Sequence, residues 1–270
     1  MMNDYRQTNL QLWNNWTTLH EKSEFYDVEG FKAGKIRLRS IEREELGDVS
    51  GKSLLHLQCH FGLDTMSWAR LGAHVTGVDF SDRSIALARS LSEELGIPAR
   101  FVQSDIDHLP DALSGEFDIV FASYGILHWL SDLRRWAEVI AHFLKPGGLF
   151  YIVEDHPFMR VFAADETDLK VGNPYFFHAQ PGTFELQGSY AGSGETSRGF
   201  IWDHSLGEVI NALIGAGLRI EFLHEFDCAA RAKFPFMAQG EDGWWRLPER
   251  KGEIPFLFSL QARKVKGDSE

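Results

Sequence analysis

The chain has 270 residues, 44% hydrophobic and 24% charged, enough apolar material for one large α/β domain with a cap or for two small domains. Its 39 acidic and 27 basic residues leave a formal charge of −12, and no run of Lys or Arg breaks that excess, so a nucleic-acid partner is not expected. No stretch approaches the roughly 20 apolar residues of a membrane span, the polar N-terminus lacks a secretory leader's apolar run, and Cys59 and Cys228 sit far apart with no CxxC pairing; these features predict a cytoplasmic protein without membrane contact.

Residues 1–50 read as helical pieces, with Leu10, Trp13 and Trp16 recurring at spacing three, as do Leu38 and Ile41. From Ser53 the pattern changes. Ser53 to Leu57 is a short apolar run that predicts a buried strand, and a helix follows from about Leu63 to Leu71, stopped by Gly72. His74 to Val78 is the second strand. Ser81 or Asp82 caps the next helix, whose Ile85, Ala88, Leu91 and Leu95 share a face before Gly96 ends it. Ala99 to Gln103 and Phe117 to Ala122 are the third and fourth strands. A helix from about Ser131 carries Leu133, Trp136, Val139, Ile140 and Phe143 on one stripe, and Lys145-Pro146-Gly147-Gly148 breaks it. Leu149 to Val153 is the fifth strand.

Residues 155–202 interrupt the rhythm with Gly, aromatics and turn signals, and read as an insertion with short strands. Ser205 and Glu208 then have capping-box spacing ahead of a helix. Leu218 to Leu223 and Ile254 to Ala262 complete seven strands. The link over about 225–253 is too long for a hairpin turn, and loops of that length are usually functional or mobile. Strict alternation of strand and helix predicts a doubly wound α/β fold with a seven-stranded, mostly parallel sheet.

Ligands of such sheets bind beyond the carboxyl ends of the strands, where the strand order reverses. Asp79 closes the second strand about 20 residues after the first turn, the spacing at which a carboxylate accepts both ribose hydroxyls of an adenosine. Asp105, after the third strand, is placed to accept from an adenine amino group, with Ile106 against the ring. A dinucleotide would need a GxGxxG turn for its pyrophosphate. Only Gly62 of that pattern is present, and Gln58 and His60 stand where the other glycines belong, so an NAD-dependent oxidoreductase is a weaker reading.

Five stretches in order, LLHLQCHFG, VTGVDFS, VQSDIDHLP, FDIVFASYGILHWL and LKPGGLFYIVE, resemble a class I S-adenosylmethionine-dependent methyltransferase. The resemblance spans roughly residues 50–264, and WDHSLGEVINALIGAGL is similar to a bacterial branch of that superfamily. The usual first motif reads like LDLGCGTG, so His56 replaces its Asp, and Gln58 and His60 replace its first two glycines. The resemblance implies a Rossmann-like cofactor-binding domain over 51–154 and 203–264, an N-terminal helical extension over 1–50, an inserted cap segment over 155–202 and a substrate-side link over 225–253. It implies S-adenosylmethionine as cofactor, contacted by Leu57, Gln58, Cys59, Gly62, Asp79, Phe80, Ser81, Asp105, Ile106 and Ser123. The expected reaction moves the methyl group to a small molecule; a binding protein that kept the fold and lost the activity is the main alternative.

Methyl transfer from a sulfonium depends mostly on holding the reactants in line in a dry site. A base is needed only for an alcohol, thiol or protonated amine. His128, His156, Glu154, Asp155 and His204 are the candidates, with Tyr124 as an orienting group. His56, Cys59 and His60 offer no fourth ligand nearby, so no metal is expected. Tyr175, Phe176, Phe177 and Phe184 of the insertion, and Phe234, Phe236, Trp244 and Trp245 of the link, are expected to close over the acceptor together with the N-terminal helices.

Overall fold

The computed structural model describes residues 2–163 and 168–266; residues 164–167 of the insertion lie outside the described residues. Seven strands form one sheet: β1 (Ser53–Leu57), β2 (His74–Asp79), β3 (Ala99–Gln103), β4 (Phe117–Ser123), β5 (Leu144–Asp155), β8 (Leu218–Phe226) and β11 (Leu257–Lys264). Their order is β3-β2-β1-β4-β5-β11-β8, parallel except that β11 runs antiparallel to both β5 and β8. The order reverses between β1 and β4, which places the crevice over those two strand ends.

The strands are apolar on both faces because helices cover both. In β4, Ile119 and Phe121 point into one layer with Trp68 and Tyr151, while Val120 and Ala122 point into the other with Trp136 and Ile140. The first layer is closed by α3 (Ser40–Leu46) and α4 (Leu63–Arg70), and α5 (Asp82–Glu94) packs beside α4 with α2 (Val28–Lys32) against them. The second layer is closed by α6 (Leu109–Ala112), α7 (Leu133–Phe143) and α8 (Leu206–Gly215). Along α7, Leu133, Trp136, Val139, Ile140 and Phe143 are buried, each contributing about 1.5–3 kcal/mol. Asp132 caps that helix by accepting from the N–H groups of Arg134 and Arg135 at 2.9 and 3.2 Å. At α8, Ser205 and Glu208 complete a reciprocal capping box.

Three boundaries differ from the sequence reading for identifiable reasons. Leu38 lies in an irregular segment ahead of α3, so its spacing from Ile41 marks no helical face. The chain turns extended at Leu144, which already pairs with Phe117, so β5 begins before the Pro-Gly-Gly stretch. β11 starts at Leu257 because Pro255, with no N–H, cannot join the ladder.

Two further pieces sit over the carboxyl ends of the strands. α1 (Met2–His20) lies across a hairpin of β6 (Gly182–Ser189) and β7 (Gly192–Ile201). The Asn9 amide exchanges hydrogen bonds with the backbone of Phe200 at 2.8 and 2.9 Å, and Trp16 Nε1 donates to the Gly188 carbonyl at 2.9 Å. The link between β8 and β11 carries a short ribbon of β9 (Ala238–Gln239) and β10 (Trp245–Arg246) and its own apolar cluster around Phe234, Met237 and Leu247.

Gly62, at the start of α4, shows how tightly these layers meet. Its φ is +75°, and a Cβ there would stand 2.5 Å from the Phe101 ring. Gly62→Ala is expected to destabilise the fold by about 2–4 kcal/mol, combining overpacking with left-handed backbone strain. Urea unfolding with an unchanged slope checks this, and a loss below 1 kcal/mol would contradict the packing described.

Candidate active site at the strand ends

The turn from β1 to α4 is built from left-handed residues: Gln58 at φ 53°, His60 at φ 51° and Gly62 at φ 75°. Glycine adopts that region freely, whereas Gln58 and His60 hold it at a cost of about 1–2 kcal/mol each. The turn therefore keeps a glycine-type backbone while presenting two side chains. His60 N donates to Asp79 Oδ2 at 2.9 Å, and Ser81 N donates to Asp79 Oδ1 at 2.9 Å. One buried carboxylate thus ties the first turn to the end of β2. Burial pushes Asp79 up to about 6, against the pull of these backbone donors.

Two adjoining cavities open here. The larger, about 470 Å³, runs from the first turn to the ends of β4 and β5 and under α1 and the hairpin. The smaller, about 120 Å³, lies beyond β3 and is lined by Tyr5, Arg6, Ser104, Asp105, Ile106 and Trp202. Gln58, Asp79, Phe80 and Trp129 line both. Together they give an elongated crevice with Asp79 at its waist. Gln58 donates to the Ile126 carbonyl at 3.2 Å, while its buried Oε1 has no partner among the described residues.

Of the residues expected to hold a cofactor, Gln58, Cys59, Gly62, Asp79, Phe80 and Ser123 line the larger cavity, and Asp105 and Ile106 the smaller. Leu57 is buried in the sheet core, and Ser81 caps α5 while donating to Asn14 of α1 at 2.6 Å; neither lines a cavity. The Asp105 carboxylate is ion-paired to Arg6 and accepts from the His108 N–H at 3.0 Å.

The acid–base candidates separate clearly. His128 and Tyr124 line the larger cavity. The imidazole of His128 has no hydrogen-bond partner among the described residues and packs on Trp129. Burial, reinforced by Arg160, Lys233 and Arg231, holds it well below its usual range, so it is neutral. Tyr124 donates to Glu42 Oε2 at 2.7 Å.

His156 is not brought to the cavity. Its Nδ1 accepts from the Phe158 N–H at 3.1 Å and its Nε2 is paired to Glu225 at 2.8 Å, so both nitrogens serve the turn after β5. His204 donates to the Leu130 carbonyl at 2.7 Å and stacks on Phe177. Glu154 accepts from the N–H groups of Gly125 and Ile126, fixing the loop after β4. Asp155 lines the cavity but is paired to Lys233. His56 is hydrogen-bonded to Thr65 at 2.8 Å, and among the described residues no His, Cys, Asp and Glu group is placed to hold a metal ion.

The aromatic walls differ from the expectation. Trp13, Trp16, Tyr26, Trp129, Phe184 and Tyr190 line the larger cavity. Trp244 is buried away from it, donating to Ser40 and lying under Arg39, while Trp245 and Phe234 pack inside the link. Tyr175 receives a hydrogen bond from the Leu206 N–H, and Phe176 is exposed. The link's Phe234, Trp244 and Trp245 are thus packing, and the Trp residues of α1, with Phe184, wall the cavity instead.

Other lining residues had no place in the sequence reading. Arg37 and Arg39 enter from the segment before α3, facing Asp64, which burial pushes up to about 6 while both guanidiniums pull it down. That segment is irregular, so no periodicity in the sequence marked these two arginines as facing the cavity. A hydrogen-bonded chain, Ser84 to His60 at 2.9 Å, His60 to His20 at 2.9 Å and His20 to Ser189 at 3.0 Å, joins α5, the first turn, α1 and the hairpin. Burial lowers both imidazoles, His20 to about 3, so the chain is uncharged.

A family model described as a methyltransferase domain matches residues 54–148. A ubiquinone biosynthesis O-methyltransferase of Cronobacter sakazakii is 31% identical over 131 residues, covering 47% of this chain and 53% of that protein. Its counterpart from a Methylobacterium species is 32% identical over 123 residues, covering 45% and 49%. The chain thus spans about half the length of the curated relatives it matches. A solved S-adenosylmethionine-dependent methyltransferase from Mesorhizobium loti has a TM-score of 0.55 at 22% identity, covering 86% of this chain and 99% of that one. A glycopeptide N-methyltransferase solved with S-adenosylmethionine has a TM-score of 0.54 at 18% identity, covering 83% and 85%. With the strand order and the glycine-type turn, these matches show a methyltransferase domain over residues 54–148 and the fold of the solved S-adenosylmethionine-dependent methyltransferases.

Proposed function

We propose that this protein is a cytoplasmic enzyme that transfers the methyl group of S-adenosylmethionine to a small-molecule acceptor by in-line displacement. The observation that carries the reading is Asp79 at the waist of a two-chambered crevice, beside a buried acceptor oxygen on Gln58 that lacks a donor. S-adenosylmethionine offers ribose hydroxyl, adenine amino and tail ammonium donors of the kind such an oxygen needs, so the residues present fit it. In this reading Asp79 accepts the ribose hydroxyls. Ile106, Phe80 and Asp105 receive the adenine, Asp105 sharing its oxygens with Arg6. Arg37 and Arg39 face the carboxylate of the amino-acid tail, and Asp64 its ammonium. Cys59, Gly62 and Ser123 line the path between them.

When bound, the cofactor supplies an activated methyl group, so the protein's work is enclosure and alignment. Trp13, Trp16 and Trp129 exclude water above the first turn. The neutral, unpartnered His128 has a nitrogen free to accept a hydrogen bond from the acceptor's hydroxyl, and its low basicity means that the proton moves to it only as the methyl group is transferred. That group and the O-methyltransferase names of the similar curated proteins favour a hydroxyl acceptor. No helix among the described residues is long and apolar enough to cross a membrane, and the enclosed, aromatic cavity suits a small molecule.

Calorimetry with S-adenosylmethionine and S-adenosylhomocysteine, followed by radiolabelled methyl transfer into a small-molecule extract, tests the reading. An absence of binding by both compounds overturns it. Asp79→Ala is expected to abolish the rise in melting temperature that S-adenosylhomocysteine gives the wild type.

The affinity also depends on pH. Asp79 and Asp64 both sit near 6 in the free protein and must be ionised to accept from the ligand, so acid opposes binding. The dissociation constant is expected to be flat from pH 8 to 7 and to rise by about tenfold or more per unit below 6. Asp79→Asn should bind weakly at pH 8 and show a shallower rise. A pH-independent wild-type affinity would contradict the role of both carboxylates.

His128→Ala is expected to slow methyl transfer by about 10²–10⁴-fold with S-adenosylhomocysteine affinity kept within about twofold. Equal loss of rate and cofactor affinity would instead assign His128 to packing.

A further inference from the structure

The floor of the larger cavity opposite the first turn is a corner of three basic side chains. Arg160 comes from the 3₁₀ turn after β5, and Arg231 and Lys233 come from the link after β8. They are unequally engaged. Lys233 is paired to Asp155, and both side chains are nearly inaccessible, at 5% and 9% exposure. Arg160 makes only a long contact of 3.4 Å to Asp203. Arg231 has no hydrogen bond or carboxylate partner among the described residues; its guanidinium lies 5.0 Å from the centre of the Tyr190 ring. Tyr190 is itself fixed by a 2.5 Å hydrogen bond to Tyr26, so the ring is a rigid platform for that cation.

The charge balance of the cavity points the same way. Five cations and three carboxylates line it, while the chain as a whole carries −12. The imidazoles that line it, His56, His60 and His128, are neutral because burial disfavours their charged forms. S-adenosylmethionine brings a sulfonium, an ammonium and a carboxylate, and so adds one more net positive charge. Asp155, already paired to Lys233, feels Arg231 only at longer range, and a half-buried guanidinium with no hydrogen-bonded carboxylate among the described residues suits an oxyanion.

We propose that the methyl acceptor is an anion, held through a carboxylate or phosphate group by Arg231 together with Arg160 and Lys233. The proposal rests on the methyltransferase reading and adds the substrate class to it. Arg231 supplies the fork of N–H donors that planar oxyanions accept, and its position on Tyr190 aims that fork without the cost of ordering a free side chain. Lys233 contributes charge while staying paired to Asp155. The acceptor's reacting atom then lies toward His128, which lines the same cavity and feels the field of these three cations.

The test uses the full chain saturated with S-adenosylhomocysteine, into which benzoate, phenyl phosphate and the neutral isostere benzamide are titrated by calorimetry. At least one anion is expected to bind about tenfold or more tightly than benzamide, and which of the two binds better separates a carboxylate from a phosphate acceptor. In Arg231→Gln that preference should fall to within about threefold, with S-adenosylhomocysteine affinity unchanged, and Arg231→Lys should recover part of it. Failure of S-adenosylhomocysteine to bind sinks the methyltransferase reading itself. Normal cofactor binding with benzamide equal to both anions, with no detectable anion binding, or with the preference intact in Arg231→Gln overturns the anionic acceptor alone.

Discussion

The carboxylate of Asp79 joins the two turns on which the site depends. It accepts from His60 in the loop after β1 and from Ser81 in the loop after β2, so neither loop can move without breaking a buried, charge-assisted hydrogen bond. Such a bond is worth roughly 1.5–3 kcal/mol, and leaving either partner unsatisfied costs a similar amount. The arrangement is not free, since burial disfavours the ionised form and lifts Asp79 to about 6. A ligand that brings hydroxyl donors would restore the hydration this carboxylate has lost. That is the physical link between a buried, underhydrated strand end and a binding site.

The departures from glycine at 58 and 60 find their reason in the same place. Glycines would make the left-handed turn at lower cost, yet they could not do what these side chains do. His60 reaches Ser84 on α5 and His20 on α1, and His20 reaches Ser189 at the tip of the hairpin. The cost in backbone strain at the turn is offset by a neutral bracket that holds the cover of the cavity down on the sheet. Gln58 uses its amide to hold the loop after β4 and leaves its oxygen bare at the waist of the crevice. The altered first motif thus keeps the left-handed backbone of a glycine-type turn.

The sheet and the position of Asp79 were legible because both follow from local periodicity. Buried parallel strands are short apolar runs, the helices between them carry stripes at spacing three and four, and a carboxylate at a strand end stays at a strand end. The cover was not legible for the opposite reason. Trp16 meets Gly188, and Asn9 meets Phe200, across more than 170 residues of chain, and no periodicity encodes such pairings. Trp244 shows the error that follows. An aromatic in a long loop looks the same in sequence whether it faces a ligand or, as here, an apolar pocket beneath Arg39. His156 shows a second: a histidine at a strand end is equally suited to capping the turn that follows, and the Phe158 N–H and Glu225 occupy both of its nitrogens.

Net charge speaks to the long-range field of the chain and is silent about its interior. An excess of twelve negative charges repels a polyanion that must lie along the surface, because each phosphate meets the same field. Surface charges are screened within about 8–10 Å at ordinary salt, whereas groups in a low-dielectric crevice act on one another with little screening. Arg231, Arg160 and Lys233 therefore set the potential inside the cavity almost independently of the carboxylates outside. A small anion that escapes the surface field meets three cations and an aromatic wall, while an extended one cannot enter. On the proposed reading, the exterior field repels an extended polyanion while the interior accepts a small charged metabolite.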